Sequence, residues 1–166
     1  MPWWKPRRSK AWANNQYIYF VIEFSKPFVK AGLWQNDVLM SPGTTDVKNS
    51  KNLKAFFEFE NEMIMAKVAV SAVSIEGAQN NLDKELPGWD FEKVKADAAK
   101  QWNRELSKID VASSDKKQLR TFYTALYHTM VVPNVNMDVD GRYRGRDNKI
   151  HTAQGFTNYS VFSLWD

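Results

Sequence analysis

The stretch from Asn81 to Ile109, NLDKELPGWDFEKVKADAAKQWNRELSKI, decides how the chain is organised. Pro87 and Gly88 end a short helical pattern that is predicted over residues 80–86. Asp90 can begin a longer helix, because its carboxylate can accept hydrogen bonds from the free N–H groups of the first turn. After Asp90 the apolar residues recur at spacings of three and four and predict one helical stripe: Phe91, Val94, Ala98, Trp102, Leu106 and Ile109.

A second amphipathic pattern follows the first. Ser113 or Ser114 is placed to cap it, and Pro133 lies where it ends. Its apolar stripe consists of Leu119, Phe122, Tyr123, Leu126, Tyr127 and Met130. Two consecutive amphipathic helices indicate the start of an α-helical domain.

The residues before this stretch predict strands. Tyr17 to Phe24 is almost entirely β-branched, aromatic or aliphatic, which is typical of a sheet covered on both faces. A short strand is predicted over Ala55 to Glu60, and a longer one over Met63 to Ile75 alternates between a face with Lys67 and an apolar face with Val68. Some four strands are too few for a free-standing sandwich, which usually has about seven.

After Pro133 the period returns to two, and turn signals divide the strands. Asp140-Gly141 and Asp147-Asn148 are both predicted turns. The stretch from Gly155 to Asp166 is apolar to its last residues, whereas natural termini are seldom buried apolar runs. This pattern predicts a piece of a longer protein.

Composition and charge narrow the functional classes. Hydrophobic residues make up 43% of the chain and charged residues 25%, which is a globular composition. The net charge is +4, but Lys and Arg alternate with Asp and Glu, whereas nucleic-acid binders cluster them on one face. The one dense basic patch is interpreted as a solvated strand entry, and a nucleic-acid-binding protein stays an alternative class; the patch consists of Lys5, Arg7, Arg8 and Lys10 among Trp3, Trp4 and Trp12. No run approaches the ~20 apolar residues of a membrane helix, and the first residues do not form a signal peptide.

Several residues could carry chemistry. Asp138 to Gly141 resembles the opening of a calcium loop, but basic residues fall at later ligand positions, so a hairpin turn is predicted. His128 is interpreted as a satisfied, partly buried helix residue, and the role of His151 is open. Asn158-Tyr159-Ser160 is a glycosylation sequon. The chain has no Cys, which excludes a disulfide and a thiolate nucleophile.

Trp165-Asp166 is a pair whose side chains could contact a sugar, although the dipeptide by itself is uninformative. An aromatic face can stack on the C–H face of a pyranose ring, and a neighbouring carboxylate can accept charge-assisted hydrogen bonds from two adjacent hydroxyls.

In its motifs the sequence resembles the bacterial α-mannosidases of glycoside hydrolase family 92. The likeness follows most of the chain in order and is weakest from Ala31 to Asn61. The matching stretches are RRSKAW (7–12), YFVIEFSKPF (19–28), the 81–109 stretch quoted above, FYTALYHTMVVPNV (122–135), DVDGRYRG (138–145) and FTNYSVFSLWD (156–166).

The resemblance implies an α+β fold with a partial antiparallel β-sandwich, linker helices and the first part of an (α/α)6 barrel. Residues 1–75 would be the C-terminal part of the sandwich domain, residues 76–110 the helical linker, and residues 111–166 the start of the catalytic barrel. It further implies hydrolysis of α-mannosidic linkages with inversion, dependent on Ca2+. The general acid, the general base and the calcium ligands would lie downstream of Asp166, so this chain alone would be inactive.

The resemblance also implies that Trp165 and Asp166 contact the terminal mannose. The expected partners are mannose-containing glycans and the remainder of the parent chain, with no nucleic acid and no membrane. For the parent protein it implies a periplasmic or secreted location. The alternative function is a non-catalytic carbohydrate-binding β-sandwich module.

Overall fold

The computed structural model describes residues 16–44, 47, 50–60 and 63–161. The chain divides into two compact units, Met1–Pro87 and Gly88–Asp166. The described strands are β1 (Tyr19–Phe24), β2 (Lys30–Gln35), β3 (Val38–Leu39), β4 (Leu53–Glu58), β5 (Ala66–Ser71), β6 (Asn134–Val135), β7 (Arg142–Arg144), β8 (Ile150–Thr152) and β9 (Tyr159–Ser160). The described helices are α1 (Ile75–Glu85), α2 (Phe91–Leu106) and α3 (Lys116–Met130). The structure thus confirms an α+β fold.

Every strand pair in the described residues is antiparallel. In the first unit β1 pairs with β5, and β2 lies between β3 and β4. Asn36 and Asp37 connect β2 to β3 with φ values of 50° and 64°, in the left-handed region that Asn and Asp tolerate better than most residues. These two residues therefore form a tight hairpin turn between paired strands. The predicted boundaries at residues 75 and 110 remain predictions.

Helix α1 packs on the β1–β5 sheet, and this contact is the core of the first unit. Leu82 is 1% exposed and Ala78 is fully buried, and Val73 and Asn81 are buried beside them. The predicted start at residue 80 was wrong, because the helix begins at Ile75. Ser74 caps it by accepting a hydrogen bond from the N–H of Gly77 at 3.0 Å. Gly77 in the first turn lowers the helix propensity of this segment, but the helix forms because its residues are buried against the sheet.

The face of the β1–β5 sheet that α1 covers is the more polar one. Register pairs Glu23 with Lys67 on this face and Ile22 with Val68 on the other. Lys67 forms an ion pair with Glu23 at 3.1 Å and donates to the carbonyl of Leu86 at 3.1 Å. Ile22 and Val68 are exposed within the described residues. Within the described residues this second face is therefore only partly covered, since Phe24 on the same face contacts Phe57 and Phe59.

Four phenylalanine rings join the two sheets of the first unit. Phe24 of β1 lies 5.1 Å from Phe57 of β4 and 5.0 Å from Phe59, measured between ring centroids. Phe28 lies 5.2 Å from Phe57. These tilted and edge-on arrangements are the ones that aromatic pairs prefer.

The second unit contains both predicted amphipathic helices. Asp90 caps α2 as predicted, accepting from the N–H of Lys93 at 2.8 Å. Helix α3 is capped by Asp115 rather than by Ser113 or Ser114, because the Asp115 carboxylate accepts from two N–H groups of the first turn. Trp102 of α2 and Tyr127 of α3 pair at 4.6 Å. Neither helix has a buried residue.

Candidate functional site

The predicted substrate residues, Trp165 and Asp166, lie outside the described residues. The described part nearest to them in sequence is β9. Its Tyr159 and Ser160 pair with Val135 and Asn134 of β6, which follow the end of α3. The chain that leads to the predicted site is thus fixed to the segment after α3.

Asn158 extends this strand pairing by one residue. Its carbonyl accepts from the N–H of Asn136 at 2.9 Å, and its side-chain amide donates to the carbonyl of Asn136 at 2.9 Å. The amide nitrogen that a glycan would modify is therefore already engaged in a hydrogen bond. The sequon is part of a strand pair in this structure.

The turn before β7 confirms the interpretation of the calcium-like motif. The N–H of Gly141 donates to the carbonyl of Asp138 at 2.8 Å, and the N–H of Asp138 donates to the carbonyl of Arg142 at 2.8 Å. Gly141 has a φ of 83°, which glycine adopts without steric cost. The Asp140 carboxylate accepts from the Arg142 side chain at 2.8 Å, so it is engaged within a hairpin turn.

The β7–β8 hairpin carries the most distinctive polar pair in the second unit. His151 of β8 approaches both carboxylate oxygens of Asp147, with its Nε2 3.0 Å from Oδ1 and 3.1 Å from Oδ2. Asp147 Oδ1 also accepts from the N–H of Lys149 at 3.0 Å. The carboxylate therefore holds the imidazole in one orientation and closes the turn as well.

Electrostatics at this pair follow from the same contacts. The hydrogen bond with His151 is the first cause that lowers the pKa of Asp147, and the N–H of Lys149 adds to it. Both contacts favour the ionised carboxylate. Asp147 is therefore a stable hydrogen-bond acceptor at neutral pH.

The ring of His151 is one of three neighbouring aromatic rings. Tyr143 of β7 is directly opposite His151, so their side chains share one face of the hairpin, with ring centroids 5.6 Å apart. The ring centroid of Phe156 lies 6.4 Å from that of Tyr143, and Phe156 is 55% exposed. Phe156, Tyr143, His151 and Asp147 are called the ring row below. Arg142 and Arg144 lie on the opposite face.

Gly145 leaves the space that the polar pair occupies. A Cβ at this position would lie 2.6 Å from Asp147 Oδ1 and 2.9 Å from His151 Nε2. Side chains do not approach one another so closely, so any larger residue here would displace the pair. The position of His151 over the hairpin backbone depends on this glycine.

The other features considered from the sequence, His128, a metal site and a membrane helix, give no candidate site in the described residues. His128 lies in the last turn of α3 and is exposed, with its ring 5.6 Å from Tyr127, so the expectation of partial burial was wrong. Among the described residues no group of three or more His, Asp or Glu side chains could hold a metal ion. No described helix is long and apolar enough to cross a membrane.

Sequence patterns did not reveal the ring row. His151 was singled out with an open role, and Asp147 was noted only as a turn residue. The two residues lie four positions apart across a turn. Their spacing alone does not predict a contact, because the contact depends on the geometry of that turn. Chemically, the arrangement offers aromatic faces and an ionised acceptor, which is the combination that binds sugars.

Comparison with protein families gives two adjacent matches. Residues 5–71 match the model described as the glycosyl hydrolase family 92 N-terminal domain. Residues 77–166 match the model described as the glycosyl hydrolase family 92 catalytic domain. Together they cover most of the chain, in the order expected from the resemblance.

Solved structures of family 92 mannosidases and one curated glycosidase are also similar to this chain. The family GH92 alpha-mannosidase BT3965 from Bacteroides thetaiotaomicron is 38% identical with a TM-score of 0.83, over 95% of this chain and 22% of that chain. The same protein has been solved in complex with mannoimidazole. The family GH92 inverting mannosidase BT2199 from B. thetaiotaomicron is 28% identical with a TM-score of 0.78, over 89% of this chain and 20% of that chain.

A protein of Arthroderma benhamiae named as an uncharacterized secreted glycosidase is 38% identical over 74 residues, which are 42% of this chain and 10% of that protein. The chain thus spans about a fifth or less of the length of the relatives it matches.

Proposed function

This chain belongs to glycosyl hydrolase family 92, and on that premise we propose that it is a segment of an inverting α-mannosidase acting on mannose-containing glycans. The observation that carries the proposal is the succession of the family's N-terminal and catalytic domains in one chain. The relatives named as mannosidases, one of them inverting, support the substrate class and the stereochemistry.

The proposed reaction needs two carboxyl groups. A general acid protonates the glycosidic oxygen as the bond from that oxygen to the anomeric carbon breaks. A general base removes a proton from the water that attacks the opposite face of the same carbon. The two carboxyl groups are roughly 6.5–9.5 Å apart in inverting enzymes, which leaves room for the water. By resemblance both belong to the chain downstream of Asp166.

Within this chain the proposed substrate contacts are Trp165 and Asp166. Trp165 would supply a stacking or wall surface for the terminal mannose, and Asp166 would accept hydrogen bonds from two adjacent hydroxyls. The pairing of β6 with β9 supports this role, because it fixes the strand that leads to these residues.

Calcium and location are proposed for the parent protein on the resemblance. The metal, when bound, would supply positive charge that holds and polarises sugar hydroxyls, and its ligands are expected downstream of this chain. A periplasmic or secreted location is supported by one relative that is named as secreted.

The proposal is tested by comparing this chain with a longer protein that carries it. The longer protein should release mannose from α-mannobiose, with β-mannose as the first product in the proton NMR spectrum because the reaction inverts the anomeric carbon. The 166-residue chain should release none. Mannose release by the short chain, abolished by a chelator, would overturn its proposed inactivity. Sugar binding without hydrolysis by the longer protein would favour a non-catalytic module.

A further inference from the structure

We propose that Lys67 anchors the end of α1 to the β1–β5 sheet and so fixes the segment through which the chain leaves the first unit. The match to the catalytic domain begins at residue 77, inside α1. The helix nevertheless packs on β1 and β5, which lie within the match to the N-terminal domain. The anchor therefore joins the sheet of one family domain to the first helix of the other, and it does not depend on the proposed mannosidase activity.

Helix α1 ends at a carbonyl group that Lys67 contacts. Pro87 follows the helix and has no N–H, so it cannot continue the hydrogen-bonding pattern. The last carbonyls of a helix need partners from outside it. The carbonyl of Leu86, the C-cap residue, accepts from Lys67 Nζ at 3.1 Å. Because Pro87 is the last residue of the first unit, Lys67 contacts the chain directly before the boundary between the units.

The Lys67 ammonium reaches this carbonyl from a strand and not from the helix itself. Its side chain is 13% exposed, and its Nζ lies 3.1 Å from Glu23 Oε2 on β1. A largely buried cation is costly unless it is paired and hydrogen-bonded, and here a carboxylate and a carbonyl both contact it. Positive charge is also favourable beside the partial negative charge of a helix C-terminus. These interactions hold Lys67 between the sheet and the end of α1.

Other polar contacts tie the middle of α1 to the same sheet. Gln79 Nε2 donates to Glu23 Oε1 at 2.9 Å, so the carboxylate that pairs with Lys67 is itself held by the helix. Asn81 Nδ2 donates to the carbonyl of Val70 at 2.9 Å. Of these contacts between α1 and the sheet, the one made by Lys67 is nearest to the C-terminal end of the helix. Its loss should therefore free that end while the middle of the helix stays attached.

The test is hydrogen exchange in the 166-residue chain, followed at single amides by NMR. The N–H of Leu86 donates to the carbonyl of Leu82 at 2.9 Å, and the N–H of Ala78 donates to the carbonyl of Ser74 at 3.1 Å. Lys67→Met keeps an unbranched apolar side chain and removes the ammonium. It should speed exchange at Leu86 by about tenfold relative to Ala78, because the helix end opens locally once its partner is lost.

Lys84→Met is the matched control. Lys84 lies in the last turn of α1 and is exposed, so this variant removes the same charge from the same helix end and leaves Lys67 in place. It should change the ratio of the Leu86 and Ala78 exchange rates by about twofold at most, since a single exposed charge near a helix end contributes little.

A second variant covers the case in which Lys67→Met does not fold. Glu23→Gln removes the charge that holds the ammonium but keeps a side-chain oxygen as an acceptor. It should shift the same exchange ratio in the same direction as Lys67→Met and by a smaller factor. An unchanged ratio in the folded variant would contradict the anchor.

The remaining outcomes are distinct. Faster exchange at Leu86 with little change at Ala78, in Lys67→Met and not in Lys84→Met, supports the anchor. Equal acceleration at both amides overturns it, because Lys67 would then stabilise the unit as a whole. Equal effects of the two lysine variants, or an unchanged ratio in Lys67→Met, also overturn it. In each case the proposed function stands or falls separately, because its test measures mannose release.

Discussion

The two units of this chain differ in how far their apolar side chains are buried. The first unit covers one face of its β1–β5 sheet with α1, which buries Leu82 to 1% exposure and Ala78 completely. In the second unit α2 and α3 have no buried residue, and Phe91 is 66% exposed at the start of its stripe. Of the buried side chains in the described residues, only that of Asp138 belongs to the second unit.

The difference shows what each unit needs in order to be stable. A helix packed on a sheet is a two-layer arrangement, and α1 gives the first unit a buried core. Within the described residues each of these two helices has one helical neighbour, which leaves part of each apolar stripe uncovered. The two mannosidases are more than four times as long as this chain. We infer that the second unit depends on further helices for its stability.

The largest effect that would test this contrast is expected at Leu82. Leu82→Ala in this chain should lower the free energy of unfolding by about 2–5 kcal/mol, because it leaves a cavity between α1 and the sheet. Denaturant unfolding followed by circular dichroism measures it.

The matched control is Val94→Ala on the exposed stripe of α2, which should change stability by less than about 0.5 kcal/mol in this chain. In the longer protein the effect of Val94→Ala should grow, because the stripe then has a partner. Equal losses at the two positions in this chain would contradict the contrast between the units.

The second test asks whether the second unit carries the substrate contacts. In the longer protein, Asp166→Ala should lower kcat/KM by at least ~100-fold, since two charge-assisted hydrogen bonds are worth about 1.5–3 kcal/mol each. Trp165→Ala should cost less, about 1–3 kcal/mol of transition-state stabilisation.

Melting temperature, measured beside the kinetics, separates a binding role from a core role for these two residues. A folded Asp166→Ala enzyme with unchanged kcat/KM would remove the site assignment. The family membership would stand, because it rests on the sequence matches.

The smallest effect concerns the polar contact beneath α1. Hydrogen bonds from Gln79 and then from Lys67 lower the pKa of Glu23 below its ordinary 4.5. The folded-state pKa is the lower one, so the contribution is present above pH ~4.5 and is lost as the pH falls through the folded value. Glu23→Gln should therefore flatten the acid side of the stability curve.

The size of this change should stay below about 1 kcal/mol, because the Glu23 side chain is 35% exposed. Urea midpoints measured between about pH 3 and 7 test it, with Glu58→Gln, an exposed partner of Lys30, as the control. A difference between Glu23→Gln and the unmodified chain that is the same at every pH would refute the assigned cause.

Individual residues show why some sequence predictions held and others did not. Asp90 capped α2 as predicted because a cap depends on the residues of one turn. The cap of α3 was placed one or two residues early, since Ser113, Ser114 and Asp115 can all accept from a helix start. Helix α1 was predicted too short because Gly77 weakens the local signal, while contact with the sheet supports the helix.

By itself, the sequence determined the family, the two long amphipathic helices with their apolar stripes, and the turns at Asp140-Gly141 and Asp147-Asn148, whereas it did not predict β2 and β3. Each of these follows from residues close together in the chain or from an ordered set of motifs. Only the tertiary structure decided that the Lys67 face of the sheet is the covered one and that His151, Asp147 and Tyr143 meet over Gly145. The physical reason is that burial and cross-strand contacts depend on which distant residues pair, and spacing along one strand cannot specify that.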